Sequence, residues 1–254
     1  MKVFEGNKKL VLIPIGGIGN RLRVISSCYA SGYEKIILLN IKSDALNADI
    51  SHYLKDDERI LKVIDIPYLN DKLIRRLFAV LVNLLSFSSF GKISGKYNLN
   101  KLSGRPLIIC TCHQFNKNPD YPPSALLPDK DYIETNITSR LSGSLTKPYA
   151  SIHIRYSDNK RAIDTFNEED CFYFIDSYNG KVFLATDNED VKKKYVENFK
   201  NKIIVLEGKP SRNTANGILS AIYEMMICCE AELFKPTKNS SFSRMICELR
   251  GEEI

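Results

Sequence analysis

Short apolar runs alternate along the chain with stretches that carry apolar residues at helical spacing, a pattern typical of α/β proteins. In the first half, apolar runs at 10–15 and 35–40 flank a predicted helix at 21–33. This strand–helix–strand opening favours a parallel sheet. A further buried strand is predicted at 106–112, whereas residues 44–71 are polar and suggest irregular structure.

The second half repeats the same order of elements. Predicted strands (149–154, 181–185, 202–207 and 232–234) alternate with predicted helices (168–178, 189–199 and 216–229), and a polar turn at 239–244 enters a last helix. Residues 146–148 (TKP) interrupt the pattern just before the strand at 149–154. We therefore predict two Rossmann-like α/β domains, 1–147 and 148–254, that face each other across a cleft.

A glycine turn, GGIGN at 16–20, connects the first predicted strand to its helix. Glycines let the backbone approach a ligand closely, and the free N–H groups at a helix start favour an anion. The turn does not complete a dinucleotide-binding fingerprint, because Leu22 stands where G-x-G-x-x-G from Gly17 requires glycine or alanine. The second strand also ends in Asn40 rather than in an acidic residue, so a nicotinamide enzyme is disfavoured.

Composition narrows the function classes only moderately. The 254 residues are 44% hydrophobic and 26% charged, as in an ordinary soluble globular protein. The net charge of +6 suits an anionic ligand, a membrane surface or nucleic acid. Since no Lys/Arg stripe with interleaved aromatic residues is present, we expect no nucleic-acid partner.

The cysteines and the apolar runs bear on the compartment. Seven cysteines, an odd number without a repeated C-x-x-C, predict reduced thiols and a cytoplasmic protein. CTCH at 110–113 indicates either half of a metal site or a buried strand end, and the lack of a second cluster favours the strand end. The run before Pro14 is too short for a signal peptide, and no run reaches the ~18–20 apolar residues of a membrane span.

The most apolar predicted helix runs from Leu73 to Phe90 (LIRRLFAVLVNLLSFSSF) and has Arg75 and Arg76 near its start. Two interpretations are open. The helix could make a peripheral contact with a membrane that carries a lipid-linked acceptor. It could instead be a core or inter-domain helix, and the lack of a clear charged face favours this second interpretation.

The strand at 149–154 is followed by a polar segment that begins at Arg155 and continues through Ser157, Asp158 and Asn159. In open α/β sheets, ligands bind beyond the carboxyl ends of the strands. Arg155 carries a permanent charge and a planar set of donors that suits a phosphate. From these residues alone, an ordinary surface salt bridge is the alternative.

Four polar turns at predicted strand ends carry a resemblance to a known family. They are GGIGNRL at 16–22, SIHIRYSD at 151–158, FLATDN at 183–188 and the serine-rich end of AIYEMMICCEAELFKPTKNSSFSRM at 221–245. In this order and spacing, they resemble the fucosyltransferase superfamily, which includes bacterial Nod-factor, α-1,2-, α-1,6- and protein O-fucosyltransferases. Residues 41–145 take no part in the resemblance.

The resemblance implies a compact GT-B-like architecture, in which the C-terminal domain holds GDP-fucose and the N-terminal domain faces a glycan acceptor. It also implies an inverting transfer to a glycan hydroxyl that requires no metal or other cofactor. The donor-binding residues that it implies are Gly17, Gly19, Asn20, Arg21, His153, Arg155, Asp187, Glu224, Ser240, Ser241, Phe242 and Ser243.

Arg155 is the expected catalytic residue, because negative charge develops on the β-phosphate as GDP leaves and a fixed donor there stabilises the transition state. Ser241, Ser243 and the first N–H groups of the last helix would complete this phosphate cradle. The alternative for residues 240–243 is a plain helix cap, and the two roles are compatible.

For most of the other ligand contacts that the resemblance implies, a second interpretation stays open. By the resemblance, His153 lies near the guanine, and Glu224 accepts from the guanine N1–H and exocyclic amine, unless it is simply the exposed position of an apolar helix. Asp187 would contact the ribose or cap a helix. Asn20 and Arg21 would face the sugar or acceptor, or would only cap and flank the first helix.

The general base and the number of arginines are the points where the chain is least like the family. Candidates for the base are Asp158, Asp164, Glu168 and Glu169. We favour Asp158 because it is closest in sequence to the phosphate arginine. Many family members have two consecutive arginines where this chain has Arg155 and Tyr156, although protein O-fucosyltransferases also lack the second one.

Three function hypotheses follow. The first is a glycosyltransferase that transfers fucose from GDP-fucose to a glycan. The second is a glycosyltransferase with a different nucleotide-sugar donor. The third is a catalytically silent member that binds a nucleotide or glycan, an interpretation that Tyr156 and the lack of an obvious base would support.

Overall fold

The computed structural model of the chain describes residues 9–68, 70, 73, 76, 90–92, 108–118, 120–208 and 211–252. By its internal contacts the chain divides into two compact units, Met1–Pro128 and Asp129–Ile254. Each unit is built on a parallel sheet, which confirms the α/β class predicted from the sequence.

The first unit contains a five-stranded sheet with the strand order β3-β2-β1-β5-β4, in which all described pairings are parallel. Its strands are β1 Lys9–Pro14, β2 Lys35–Ile41, β3 Ile60–Ile66, β4 Phe90–Lys92 and β5 Ile108–Thr111. Helix α1, Ile18–Ala30, connects β1 to β2. Short 3₁₀ turns lie at Ile50–His52 and Pro123–Leu126.

The second unit contains a four-stranded parallel sheet with the order β8-β7-β6-β9. Its strands are β6 Ala150–Ile154, β7 Val182–Thr186, β8 Ile203–Val205 and β9 Leu233–Lys235. Its helices are α2 Lys130–Asn136, α3 Lys160–Asp164, α4 Glu168–Ser177, α5 Glu189–Phe199, α6 Ala215–Glu230 and α7 Ser241–Arg250, with a 3₁₀ turn at Lys200–Lys202. Strands β6 and β7 are buried along their whole length, as is expected for strands of a parallel sheet covered by helices.

The division between the units falls after Pro128, ahead of the predicted boundary at Lys147. The segment between the two positions packs on the second unit. Helix α2 packs against α6, and the Ser142 N–H donates to the Val205 carbonyl at 2.9 Å. Leu141 also forms an isolated bridge with Leu206 beside β8. The apolar pattern predicted the strand that begins after Lys147. It did not predict that residues 129–147 pack on the second unit.

Strand β3 corrects the prediction that residues 44–71 lack regular structure. Its sequence, ILKVIDI, is exposed along nearly its whole length, and the Leu61 side chain is 49% exposed. A strand that is exposed on both faces does not need apolar and polar residues to alternate. The period-two pattern that marks half-buried strands is therefore missing from this sequence. Strand β4 and helix α3 were also missed, and both are short.

Most of the predicted apolar helix at 73–90 lies outside the described residues. Its possible membrane contact therefore stays a prediction. Among the helices that the structure describes, none combines the length and apolar character needed to cross a membrane.

Candidate nucleotide site

The strand order of the second sheet marks the place where a ligand is expected. Chain order runs outward from β6 to β7 and β8 on one side, whereas β9 lies on the other side. In open α/β sheets, ligands bind at this switch point, beyond the carboxyl ends of the strands. Arg155 follows β6 there, Asp187 follows β7, and Thr237 comes shortly after β9.

Four charged side chains meet at this edge and form what we call the charged quartet: Arg155, Asp158, Asp187 and Arg212. The Arg155 guanidinium contacts the Asp158 carboxylate, and its Nη1 lies 2.5 Å from Asp187 Oδ2. Arg212 Nη1 lies 2.7 Å from Asp158 Oδ2, and its Nη2 lies 3.5 Å from Asp187 Oδ2. Each carboxylate therefore contacts both arginines.

The quartet fixes the charge of Asp158. Partial burial acts to raise the pKa of Asp158, but the hydrogen bond from Arg212 and the charges of Arg155 and Arg212 outweigh it and lower this pKa to about 2. A carboxylate with so low a pKa has little tendency to take a proton near neutrality. The predicted role of Asp158 as general base is therefore weakened, and its contacts are those of a counter-ion to the arginines.

Asp187 also holds the segment that follows β6. Its Oδ1 accepts from the Tyr156 N–H at 2.9 Å, and its Oδ2 accepts from the Ser157 hydroxyl. The Tyr156 ring packs edge-on against Phe166, with ring centroids 5.1 Å apart. Tyr156 therefore contributes its backbone N–H, and not its side chain, to the arrangement around Arg155. The helix cap that was the alternative for Asp187 is made instead by Asn188, whose side chain accepts from the Val191 N–H.

A buried hydrogen-bond chain lies on the other side of Arg155. Thr237 Oγ1 accepts from the Arg155 N–H at 3.1 Å and donates to the His153 carbonyl. The Ser243 hydroxyl accepts from the Thr237 N–H at 2.9 Å and lies 2.7 Å from His153 Nδ1. These contacts connect the end of β6 to the loop between β9 and α7.

The same chain defines the protonation state of His153. Burial lowers the pKa of His153 well below its usual range, so the imidazole is neutral. The Ser243 hydroxyl, which already accepts from the Thr237 N–H, is free to donate to Nδ1. In the tautomer in which the Ser243 hydroxyl donates to Nδ1, Nε2 carries the imidazole proton and can donate to a ligand.

We expect Thr237→Val to reduce the free energy of unfolding by about 1–3 kcal/mol, because the Arg155 N–H and the His153 carbonyl lose their buried partner. Urea denaturation would measure the change. Thr237→Ser keeps the hydroxyl and is the matched control. A valine variant as stable as the serine variant would contradict this role of Thr237.

The serine-rich turn begins helix α7. Ser240 is the N-cap, with its side chain accepting from the Ser243 N–H, so the capping interpretation of this turn is correct. Ser243 is fully buried, and its hydroxyl is engaged by His153 and Thr237. Ser241 is exposed, while the Phe242 ring lies over His153 with centroids 4.8 Å apart. Ser241 is therefore an exposed residue of this turn, whereas Ser240 and Ser243 are buried.

Glu224 lies on α6, which packs against β6 and β7. Although part of the residue reaches the surface, desolvation of its carboxyl is the largest influence and raises the pKa of Glu224 to about 8. Lys192 acts in the opposite sense, and Asp187 adds to the increase. None of the residues that the structure describes donates a hydrogen bond to this carboxyl. Glu224 is thus a desolvated acid near the charged quartet and not simply an exposed helix position.

The glycine turn of the first unit is held by a buried arginine. Arg21 is 1% exposed; its Nε donates to the Gly16 carbonyl and its Nη2 to the Ile41 carbonyl, both at 2.8 Å. Its Nη1 contacts the Asn40 side chain and Tyr53 Oη. All three nitrogens of Arg21 are therefore used within its own unit, which supports the structural alternative and not a direct ligand contact.

The other predicted residues of this turn lie around the start of α1. Gly17 is the N-cap, and Gly19 is buried in the first turn of the helix. Asn20 accepts from Arg23 through its Oδ1 at 2.7 Å. Gly16 has φ +91°, and an added Cβ would lie 2.8 Å from Asn20 Nδ2, so glycine is required there.

Arg212 and Thr237 are the site residues that sequence reasoning did not identify. Arg212 lies in the loop between β8 and α6, and no motif of the resemblance includes it. Thr237 lies in the matched segment 221–245, but only the serines that follow it were predicted as site residues. In the described part of the chain, no group of three or more His, Cys, Asp or Glu side chains is placed to hold a metal ion.

Three-dimensional comparison finds fucosyltransferases among the similar structures. NodZ α-1,6-fucosyltransferase soaked with GDP-fucose matches with a TM-score of 0.54 and 15% identity, over 95% of this chain and 92% of that chain. Fucosyltransferase NodZ from Bradyrhizobium gives a TM-score of 0.54 and 13% identity, with 94% and 93% covered. POFUT1 in complex with GDP gives 0.51 and 11%, with 98% and 96% covered.

Sequence comparison adds no relative, because no protein-family model and no curated protein matches the chain. Identities of this size show the fold alone. The chain has a fucosyltransferase-like α/β fold.

Proposed function

We propose that this protein is an inverting glycosyltransferase that transfers fucose from GDP-fucose to a glycan hydroxyl. The observation that carries the proposal is the position of Arg155, with His153 and the start of α7, at the switch point of the second sheet. The similar structures support it, because NodZ was soaked with GDP-fucose and POFUT1 was crystallised with GDP.

Arg155 would act on the leaving diphosphate. Its side chain is 19% exposed, so its guanidinium lies in a partly desolvated environment where charge interactions are stronger than in water. Its position is held by Asp187 and, through the backbone, by Thr237. A preorganised guanidinium of this kind stabilises the charge that develops as the bond to the sugar breaks. We propose that it does so without a metal.

The nucleoside would be read by two groups with complementary hydrogen-bonding capacity. Neutral His153 has one ring N–H to donate, and Glu224, once it has lost its proton, offers two acceptor oxygens. Guanine presents adjacent N1–H and amino donors, which match a carboxylate. We propose Glu224 as the residue that selects guanine.

The base that accepts the proton of the glycan hydroxyl is a separate question. We propose that Asp158 is not this base but a counter-ion to the arginines, because both of its oxygens contact guanidinium groups. Glu168 is another candidate for the base, but its Oε2 lies 2.6 Å from Lys194 Nζ, with which it forms an ion pair. Asp164 and Glu169 are exposed and stay candidates.

Titration calorimetry with GDP, UDP and NAD in the absence of divalent metal tests the donor class, and release of GDP from GDP-fucose tests turnover. We expect GDP to bind more tightly than UDP, and NAD not to bind. GDP binding without any fucosyl transfer or donor hydrolysis would favour the catalytically silent alternative. Preference for UDP would leave a glycosyltransferase with a different donor, and no nucleotide binding would overturn the proposal.

The setting that we propose is the cytoplasm, with a nucleotide sugar and a glycan as partners. None of the cysteines that the structure describes is joined in a disulfide, which is compatible with a reducing compartment. The possible contact of residues 73–90 with a membrane would place the enzyme near a lipid-linked acceptor.

A further inference from the structure

Two guanidinium groups from distant parts of the chain meet in the charged quartet. Arg155 follows β6, whereas Arg212 lies in the loop before α6. Two like charges held this close repel each other, and the two carboxylates between them offset that repulsion. A single surface salt bridge would not require a second arginine, so the pair calls for a separate explanation.

The loop that carries Arg212 is packed closely against the start of α6. A Cβ added to Gly217 would lie 2.3 Å from the Ser211 carbonyl oxygen, so only glycine allows the loop to approach the helix in this way. Thr214 caps α6 by accepting from the Gly217 N–H at 3.1 Å, and the Ser211 hydroxyl accepts from the Asn213 N–H at 3.1 Å. The residues on both sides of Arg212 are therefore fixed by local contacts.

The two aspartates of the quartet differ in how firmly they are held. The Asp187 side chain is 16% exposed and is bound to the Tyr156 N–H and the Ser157 hydroxyl as well as to the arginines. The Asp158 side chain is 56% exposed. Among the described residues, its one hydrogen bond from outside the arginines comes from Ser157 Oγ, which lies 3.3 Å from Asp158 Oδ1. Asp187 is thus a fixed anchor, whereas Asp158 can turn into water.

We propose that Arg212 is a second anion-binding arginine, which holds the diphosphate of a nucleotide ligand together with Arg155. This inference rests on the proposed function. Phosphate oxygens would replace the Asp158 carboxylate at both guanidinium groups, exchanging one charge-assisted contact for another of the same kind. Asp158 then acts as a displaceable counter-ion that keeps the two arginines together in the empty site, while Asp187 keeps them oriented.

Calorimetric titration of GDP, GMP and inorganic pyrophosphate tests the inference on the full chain. For Arg212→Ala we expect GDP affinity to fall about 10-fold or more, as for a lost charge-assisted contact, and GMP affinity to fall less, since GMP lacks the second phosphate. Lys193→Ala, which removes an exposed charge from α5, is the control for net charge. GDP affinity equal in the Arg212→Ala and Lys193→Ala variants would overturn the inference.

Asp158→Asn separates ligand binding from a merely structural role, and it does so even if Arg212→Ala folds poorly. A displaceable counter-ion competes with phosphate, so its neutralisation is expected to tighten GDP binding about 3-fold or more. If the quartet were only a structural clamp, the same substitution would weaken GDP binding, and the inference would be wrong.

The titrations also distinguish this inference from the proposed function. Binding of UDP or pyrophosphate that Arg212→Ala weakens, without a preference for GDP, would support the diphosphate site and contradict the guanine-based donor. GDP binding and fucosyl transfer that are unaffected by Arg212→Ala would support the proposed function and overturn the inference. Absence of binding by GDP, UDP and pyrophosphate alike would overturn both.

Discussion

Replacing Arg155 with alanine is expected to lower kcat for fucosyl transfer about 100- to 1,000-fold and to weaken GDP binding by about 2 kcal/mol. The first magnitude is that of removing one preorganised donor at the site where charge develops in a transition state. The second is that of losing a charge-assisted phosphate contact. The effect on kcat exceeds the effect on binding because the leaving β-phosphate carries more charge in the transition state than in the bound donor.

Steady-state release of GDP from GDP-fucose and calorimetric titration of GDP measure the two effects separately. Arg161→Ala is the matched control, since Arg161 is an exposed arginine of α3 outside the charged quartet. Arg155→Lys keeps the charge but loses the planar pair of donors, so it is expected to recover only part of the activity. An Arg155→Ala variant that retains its fold and full turnover would remove Arg155 from the mechanism.

Strands β6, β7 and β8 of the second sheet follow closely from the sequence because they are buried along their whole length and leave continuous apolar runs. Helix α5 has the predicted bounds, and α6 differs from its predicted bounds by one residue at each end. The strand at β6 and the polar segment after it were predicted for the same reason. Long buried elements leave a strong periodic signal, whereas the exposed β3 leaves none.

The site was predictable only in part, because a motif specifies which residues occur but not which partners they find. The place of Arg155 after β6 and the Ser240 cap of α7 follow from local sequence, while the roles of these residues stay predictions. Arg21 belongs to a matching motif, yet its guanidinium is turned into the first unit by Gly16, Asn40 and Ile41. That orientation depends on contacts between residues far apart in the chain.

Arg212 illustrates the opposite case. Its loop carries no motif, and its role depends on meeting Asp158 and Asp187, which follow two different strands. Parallel topology brings those strand ends together, so the contact is a consequence of the strand order β8-β7-β6-β9. A sequence pattern without that order gives no reason to select Arg212 from among the chain's basic residues.

The affinity for GDP is expected to depend strongly on pH through Glu224. The pKa of Glu224 is raised to about 8 by desolvation, so at pH 6 the carboxyl is protonated and at pH 9 it is ionised. Guanine offers donors at N1 and the amino group, and only the ionised carboxylate accepts from both. Binding therefore requires loss of a proton below pH 8, and GDP affinity should rise about tenfold per pH unit between pH 6 and 8 and then level off.

Titrations of GDP at pH 6, 7, 8 and 9, each in two buffers of different ionisation enthalpy, measure both the affinity and the protons released. We expect release of about one proton per GDP from Glu224 at pH 6 and almost none at pH 9. Glu224→Gln is the control, because its amide does not titrate while the phosphates of GDP titrate as before. The difference between wild type and variant thus isolates Glu224. Equal pH dependence in the two proteins would show that Glu224 does not read the base, and the selection of guanine would have to come from other groups.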